Sequence, residues 1–263
     1  MIPRANIVEW RGHAPWKSDA QVEQDLVLSR LIVSIFLNPL LATELLFRGG
    51  TALHKLFLAP ATRYSEDLDF VQKRASPIGP VLTSIRSIVN PLFGSPRIRQ
   101  KEESVILTFR LNSEIPPIVP LRIKIEVNTR EHFHAYPTIN KPFSVKSRWF
   151  TGESSVQTYI LEELLGTKLR ALYQRRKGRD LFDLWRGLTE GKADPRKIVT
   201  VFQRYLAAGG LRVSRTSMQR NLADKLRDTA FMSDLGSLLR PDIVYSPQEA
   251  FAMIDEMLIS LFE

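Results

Sequence analysis

The stretch that decides the fold is residues 44–72, which read ELLFRGGTALHKLFLAPATRYSEDLDFVQ. Residues 44–48 predict a short strand that runs into Gly49-Gly50. Thr51 then begins a predicted helix, and Pro60 ends it because proline cannot continue a helix. A strand, a glycine turn and a helix in this order predict an α/β unit, with the turn at the point where strand meets helix.

Two aspartates mark the end of the same stretch. Asp67 and Asp69 alternate with Leu68 and Phe70, which predicts a strand over 66–72. Residues two apart on a strand share a face, so both carboxylates point one way while the apolar pair points into the core. Like charges this close repel unless a cation such as Mg²⁺ lies between them. A solvent-facing acidic edge explains a lone Asp-x-Asp pattern better than a metal site does, so further features have to decide.

The rest of the chain predicts an α+β fold with a mixed sheet flanked by helices, followed by an all-helical C-terminal domain. We place the domains at 1–150 and 151–263. The predicted N-terminal elements are helices over 19–37 and 78–93 and a hairpin of strands over 104–111 and 121–128. The predicted C-terminal helices cover 159–175, 180–189, 195–207, 216–231 and 247–261, and 129–158 is predicted to be a connection with a possible strand at 156–160.

Glu126 supplies a third carboxylate to the acidic pair. It alternates with core-facing residues on the strand 121–128, so it can lie near Asp67 and Asp69. Gly49, Gly50 and Thr51 lie where backbone N–H groups and a helix N-terminus can bind phosphate. Three carboxylates around Mg²⁺ beside a phosphate-binding turn are what phosphoryl or nucleotidyl transfer requires.

Lys168 falls near the centre of the apolar stripe of the helix 159–175. A lysine on a buried face is costly unless an anionic group meets it, which favours a nucleotide phosphate as its partner in a cleft between the halves. The alternative is a lysine whose ammonium group extends outward between leucines to reach water.

The charge is concentrated in the third quarter of the chain. The chain has 37 Lys and Arg against 28 Asp and Glu, a formal charge of +9. Residues 141–220 alone hold 17 basic and 7 acidic residues, whereas 221–263 hold 3 and 8. Such a field favours a polyanion, although a solvated basic surface is the plain alternative. The predicted contacts to a nucleic-acid backbone are Arg170, Arg175, Arg176 and Lys177.

Several classes of protein are excluded or disfavoured. The chain has no cysteine, which excludes disulfides, thiolate zinc sites and cysteine nucleophiles and suits a reducing compartment. It lacks the G-x-x-x-x-G-K-[ST] phosphate loop. It also lacks an apolar run long enough for a membrane span and an N-terminal signal pattern. We therefore expect a soluble cytoplasmic protein without a membrane partner.

Four segments, in order, resemble a known family. They are F47-R-G-G-T-A-L53 with R63-Y-S-E-D-L-D-F70, then K124-I-E126, then L161-E-E-L-L-G-T-K168, and finally R179-D-L-F-D-L184. They resemble the motifs of the AbiEii/AbiGii-type nucleotidyltransferase toxins, which include the mycobacterial MenT toxins. The resemblance runs from about residue 44 to 186. Gly166 departs from the small helix formers usual at its position, which affects helix stability by about 1 kcal/mol at most.

The resemblance implies a DNA polymerase β-like nucleotidyltransferase fold and a role for each matching residue. By that similarity, Gly49, Gly50 and Thr51 would hold the triphosphate with support from Arg63 and Ser65. Asp67 and Asp69 would hold Mg²⁺, Lys124 and Glu126 would complete the second motif, and Lys168 would bind the nucleotide. Asp180 or Asp183 would serve the last motif. Asp180 could equally be a helix N-cap, and Asp183 is predicted at the wet edge of its helix.

The resemblance also implies a function and partners. Family members are toxins paired with a separately encoded antitoxin protein, and some transfer nucleotides from an NTP to the 3′ end of tRNA and so block translation. The basic stretch would suit a tRNA acceptor stem. Two alternatives stay open: a non-catalytic nucleic-acid-binding regulator, and a nucleotidyltransferase that modifies a protein.

Overall fold

The structure, a computed structural model, describes residues 2–262, which form two compact units. Among the described residues, the first unit comprises 2–134 and Thr138–Tyr159, and the second comprises Ala135–Pro137 and 160–262. No helix among the described residues has both the length and the apolar composition that crossing a bilayer requires. The mixed sheet and the helices that follow it confirm the predicted α+β class.

The first unit contains five helices and the seven strands of one sheet within the described residues. The helices are α1 (Arg4–Trp10), α2 (Asp19–Leu37), α3 (Pro39–Glu44), α4 (Gly49–Leu56) and α5 (Gly79–Phe93). The strands are β1 (Leu45–Arg48), β2 (Asp67–Gln72), β3 (Arg97–Gln100), β4 (Ser104–Asn112), β5 (Pro120–Asn128), β6 (Ile139–Lys146) and β7 (Thr151–Thr158).

The sheet order places the aspartate strand in the middle. The strands follow one another as β3-β4-β5-β2-β1-β7-β6. β2 pairs antiparallel with β1 and parallel with β5, and β4 and β5 form the predicted antiparallel hairpin. A central strand is held by ladder hydrogen bonds on both sides, so the side chains of β2 are placed by two neighbours.

The core of this unit lies on one side of β2, where apolar side chains alternate with the aspartates. Leu68 and Phe70 are buried, and the Phe70 ring lies 5.2 Å from that of Phe47 on β1 and 6.2 Å from that of Phe36 on α2. Aromatic side chains bury large apolar areas, so this cluster fixes which face of β2 points inward. The aspartates are thereby directed to the opposite face.

A buried carboxylate ties the N-terminus to this core. Asp25 on α2 accepts hydrogen bonds from the indole nitrogens of Trp10 at 2.9 Å and Trp16 at 3.1 Å, and from Lys55 Nζ at 3.0 Å. A buried charge is stable only when it is paired and hydrogen-bonded. This single residue therefore joins α1, α2 and α4.

The prediction of a mere connection over 129–158 is wrong. This segment contains β6 and β7, which pair antiparallel, and β7 also pairs with β1 through Phe47 and Thr158. Both strands carry mostly polar side chains and are exposed at alternate positions, so they lack the apolar alternation that marks a buried strand. The short elements α1, α3 and β3 were not predicted either, because they are too short for periodicity to show.

The second unit is helical, as predicted. Its helices are α6 (Leu161–Gln174), α7 (Gly178–Thr189), α8 (Pro195–Ala208), α9 (Arg215–Leu226), α10 (Thr229–Ser233) and α11 (Pro247–Met257). The helix predicted over 216–231 is two helices, because Asp228 caps the N-terminus of α10. Gly166 has a packing reason: a Cβ there would lie 2.4 Å from Val201 Cγ1, so the glycine allows α6 and α8 to approach closely.

Candidate active site

The acidic pair lies on one face of β2, as the alternation predicts. Asp67 Oδ1 is buried and has no hydrogen-bond partner. Burial raises the pKa of Asp69, and the charge of Asp67 raises it further, although Lys124 and Arg48 act in the opposite direction. The pair therefore has carboxylate oxygens and negative charge that the surrounding protein does not fully compensate.

The glycine turn contacts the acidic pair directly. Gly49 has φ +81°, a left-handed conformation that favours glycine, and a Cβ there would lie 2.3 Å from Asp69 Oδ2. A Cβ on Gly50 would lie 2.5 Å from a terminal guanidinium nitrogen of Arg63 and 3.0 Å from Ser65 Oγ. Both positions thus require glycine for close approach, and the N-terminus of α4 begins beside the carboxylates.

Beneath the turn lies a buried support. Thr51 Oγ1 donates to the carbonyl oxygen of Asp67 at 2.5 Å and lies 2.9 Å from Ser65 Oγ. Arg63 is 2% exposed and donates to the carbonyl oxygen of Tyr64 at 3.0 Å. Of the residues that the resemblance links to the triphosphate, Thr51 therefore ties α4 to β2, and Ser65 and Arg63 lie against the start of α4.

Lys124 and Glu126 lie beside the pair on β5. In the parallel register, Lys124 is opposite Asp67 and Glu126 is opposite Asp69. Lys124 Nζ lies 3.1 Å from Asp67 Oδ2 and 3.0 Å from Glu126 Oε2. Burial alone would lower the pKa of Lys124, but the charges of Asp67 and Asp69 and the hydrogen bond to Glu126 raise it overall. An ammonium group thus lies between two of the three carboxylates.

Glu126 differs from the aspartates in its hydrogen bonding. Its Oε1 accepts from Ser104 Oγ at 2.7 Å. Burial would raise the pKa of Glu126, yet the hydrogen bonds from Ser104 and Lys124, helped by the charges of Lys124 and Lys101, lower it. Within residues 2–262 no three Asp, Glu or His side chains group as a ready set of metal ligands. The arrangement is a pair of aspartates with a paired glutamate next to it.

Sequence reasoning missed two residues that position this site. Arg48 on β1 is the register partner of Asp69 and forms an ion pair with Glu131. Gln24 on α2 donates from Nε2 to the carbonyl oxygens of Glu66 at 3.2 Å and Arg122 at 2.9 Å. Gln24 thereby links β5 to the residue that precedes β2. A buried glutamine among the apolar residues of α2 was the signal in the sequence.

Lys168 lies in the second unit, where it meets two buried aspartates. Its Nζ lies 3.1 Å from Asp180 Oδ1 and 2.9 Å from Asp183 Oδ2, and Lys168 is 7% exposed. The alternative prediction, that the Lys168 ammonium group extends outward to reach water, is therefore wrong. Asp180 also accepts from Arg175 Nε at 2.7 Å. Burial would raise the pKa of Asp180, but the charge of Lys168 and the hydrogen bond from Arg175 lower it.

The predictions that Asp180 is a helix N-cap and that Asp183 lies at the wet edge of its helix are both wrong. Asp180 is not an N-cap, because α7 begins at Gly178 and Lys177 is its N-cap residue. Asp183 is fully buried rather than at the wet edge of α7. A helix wheel cannot show a buried ion pair, since it assigns every charged residue to solvent. Both aspartates contact the same ammonium group.

The basic run of the second unit, Arg170, Arg175, Arg176 and Lys177, has partners within that unit. Arg170 lies over the Tyr205 ring at 5.0 Å. Arg175 pairs with Asp180, and the other two pair with aspartates of the acidic C-terminal stretch. Those two pairs are Arg176 with Asp228 at 2.9 Å and Lys177 with Asp234 at 3.5 Å. The acidic stretch thus compensates part of the basic excess beside it in the sequence.

Two solved structures share this fold. MenT4, a nucleotidyltransferase toxin from Mycobacterium tuberculosis, matches with a TM-score of 0.63 and 17% identity, over 100% of this chain and 91% of its own. JHP933 from Helicobacter pylori matches with a TM-score of 0.57 and 17% identity, over 94% of this chain and 92% of its own. At identities this low, the matches show a common fold and nothing further.

The family follows from the sequence comparison. Residues 30–254 match the family model of the nucleotidyl transferase AbiEii toxin of type IV toxin–antitoxin systems. The chain belongs to this AbiEii family. Among curated protein sequences none matches the chain.

Proposed function

We propose that the chain is a Mg²⁺-dependent nucleotidyltransferase toxin that transfers nucleotides from an NTP to the 3′ end of tRNA and so blocks translation. The observation that carries this proposal is the acidic pair against the glycine turn. Asp67 has a buried oxygen without a partner, and Gly49 is so close to Asp69 that no Cβ fits between them. Carboxylates placed where a phosphate would meet a helix N-terminus suit phosphoryl transfer.

The acidic pair fits a divalent cation. Asp67 and Asp69 offer hard oxygen ligands, and the unpartnered Asp67 Oδ1 is the atom that a cation would satisfy. When bound there, Mg²⁺ would offset the negative charge of the triphosphate and of the released pyrophosphate. Glu126, held by Ser104 and Lys124, is the third carboxylate beside this pair and is not required as a ligand of the metal.

The remaining residues of the site have proposed roles of their own. Because Gly49 and Gly50 carry no Cβ, the backbone at the start of α4 lies close against Asp69 and Arg63, where its N–H groups would meet phosphate oxygens. The carboxylate of Asp69 or Glu126 would accept the proton of the attacking ribose hydroxyl. Lys124 already bridges Asp67 and Glu126 and would hold these two carboxylates in position as charge develops on the phosphates. Contact of Lys168 with the nucleotide stays a prediction.

The proposed substrate places the enzyme in the cytoplasm, where translation takes place. A toxin acting on tRNA also requires control by the antitoxin protein that the type IV family implies. The chain would therefore have three partners: an NTP, an RNA acceptor and a separately encoded antitoxin.

The test is incubation of the full chain with total tRNA and each labelled NTP in turn, with and without Mg²⁺. We expect one or more NTPs to label tRNA only with the metal, and Asp69→Asn to reduce labelling by at least about a hundredfold, as loss of a key electrostatic group does. Glu102→Gln, an exposed turn residue, is the matched control and should label at the wild-type level.

Three outcomes would contradict the proposal. Full labelling by Asp69→Asn would remove the acidic pair from the chemistry. Label on protein instead of RNA would favour the protein-modifying alternative. Metal-independent tRNA binding without any labelling would favour the non-catalytic regulator.

A further inference from the structure

Four arginines share the open face of the sheet with the acidic pair. We call them the arginine strip: Arg97, Arg99, Arg110 and Arg122. Register partners across a sheet lie on one face, as do residues two apart on a strand. Arg97 is in register with Thr108, Thr108 with Lys124, and Lys124 with Asp67. The strip is therefore continuous with the carboxylates along the rows of the sheet.

A second row gives the same result. Arg99 is in register with Ile106, Ile106 with Glu126, and Glu126 with Asp69. Arg110 pairs with Arg122 one step along the same strands, two residues from Thr108 and Lys124. Strands lie about 4.8 Å apart, so Arg97 and Asp67 are separated by three spacings, about 14 Å.

The charges of the strip are available to a ligand. All four side chains are exposed, and within residues 2–262 none of the four guanidinium groups forms an ion pair or a side-chain hydrogen bond. Like charges placed side by side on a sheet destabilise it, so such a set is costly for the free protein. An anionic partner would relieve this repulsion.

The basic run of the second unit offers a contrast. Arg175, Arg176 and Lys177 already pair with aspartates, so a phosphate that bound them would have to displace a carboxylate. Binding to a polyanion gains free energy by releasing its counterions, and a cation already paired within the protein releases fewer. The unpaired strip is the better site for a nucleic-acid backbone, although the run lies in the part of the sequence with the larger basic excess, residues 141–220.

We propose that the arginine strip binds the phosphate backbone of the acceptor RNA and leads its 3′ end along the sheet to Asp67 and Asp69. The proposal rests on the proposed function and adds the surface that the RNA occupies. Arginine is suited to this because its planar guanidinium group can donate two parallel hydrogen bonds to a phosphate. An acidic antitoxin segment is the other ligand with this charge, and unchanged tRNA binding by a variant of the strip would favour it.

The experiment measures binding of fluorescently labelled tRNA to the full chain by anisotropy, at several salt concentrations. All proteins carry Asp69→Asn, so that no transfer takes place. We compare this background alone, the double variant Arg97→Gln/Arg99→Gln and the matched double variant Arg176→Gln/Lys177→Gln. The strip variant should lose about tenfold in affinity, and its slope of log K against log salt should be shallower by about 1.4, for two lost contacts.

The control variant should bind within about twofold of the background protein, because its cations are already paired. Equal binding by the strip variant would overturn the proposal, as would a loss in the control as large as that in the strip variant. Failure of the active enzyme to label tRNA would count against the proposed function, whereas failure of this comparison counts only against the strip.

Discussion

Each unit of the molecule contains a lysine among carboxylates, and the two clusters are electrostatically opposite. In the helical unit, Lys168 and Arg175 meet Asp180, and Asp183 also contacts Lys168, so the buried charges are compensated. In the sheet unit, Lys124 bridges Asp67 and Glu126, whereas within residues 2–262 Asp69 forms no ion pair of its own.

The difference appears in the pKa values. The pKa of Asp180 is lowered despite burial, because Lys168 and Arg175 outweigh desolvation. The pKa of Asp69 is raised, because burial and the charge of Asp67 outweigh Lys124 and Arg48. The ionised form of Asp180 is stabilised by its neighbours. The ionised form of Asp69 is disfavoured by its surroundings, and a bound cation would stabilise it. A similar composition therefore gives a compensated cluster in one unit and an incompletely compensated one in the other.

The largest expected effect is the loss of stability caused by replacing Asp180, which tests whether its cluster is structural. We expect Asp180→Asn to lower the free energy of unfolding by about 3 kcal/mol, because it removes a buried carboxylate partner of the buried Lys168 ammonium group. The measurement is urea denaturation at pH 7. Asp224→Asn, on the surface of α9, is the matched control and should change the free energy by less than about 0.5 kcal/mol. If Asp180→Asn lowered the free energy of unfolding as little as the control does, the cluster would not be structural.

The pH dependence of the same variant is the next test. A carboxyl group with a lowered pKa in the folded state stabilises the protein above its unfolded value of 3.8, and this contribution is lost as the pH falls through the folded value. The difference in unfolding free energy between wild type and Asp180→Asn should therefore be constant from about pH 7 to pH 5 and shrink below about pH 4. A difference that already shrinks between pH 7 and pH 5 would contradict the lowered pKa.

The smallest expected effect has the opposite sign. In metal-free buffer with a chelator, Asp69→Asn should raise the free energy of unfolding by about 1 kcal/mol, since it removes a charge that burial and Asp67 disfavour. The sign follows from linkage: a carboxyl group whose pKa is raised by folding destabilises the folded state when it is ionised at neutral pH. The comparison variant Glu126→Gln should be destabilised, because Ser104 and Lys124 stabilise that charge. Destabilisation of both variants would place Asp69 among the structural carboxylates.

Much of the candidate site could be predicted from local sequence. Alternation on β2 and β5 placed Asp67, Asp69, Lys124 and Glu126 on one face, because side-chain direction on a strand has a fixed period of two. The glycines between strand and helix marked the turn that contacts Asp69. Side-chain pairing over long distances in the chain could not be predicted, and the bond from Gln24 to the carbonyl of Arg122 is an example.

The sequence by itself determined the α+β class, the acidic pair, the glycine turn and the family motifs, since these depend on neighbouring residues and their periodicity. Only the tertiary structure decided which charges are available. Residues 141–220 hold the largest excess of basic over acidic residues, yet the basic run there is paired, whereas the arginine strip is unpaired. The physical reason is that the free energy of a charge depends on its burial and its partners in space, and residues far apart in the chain supply both.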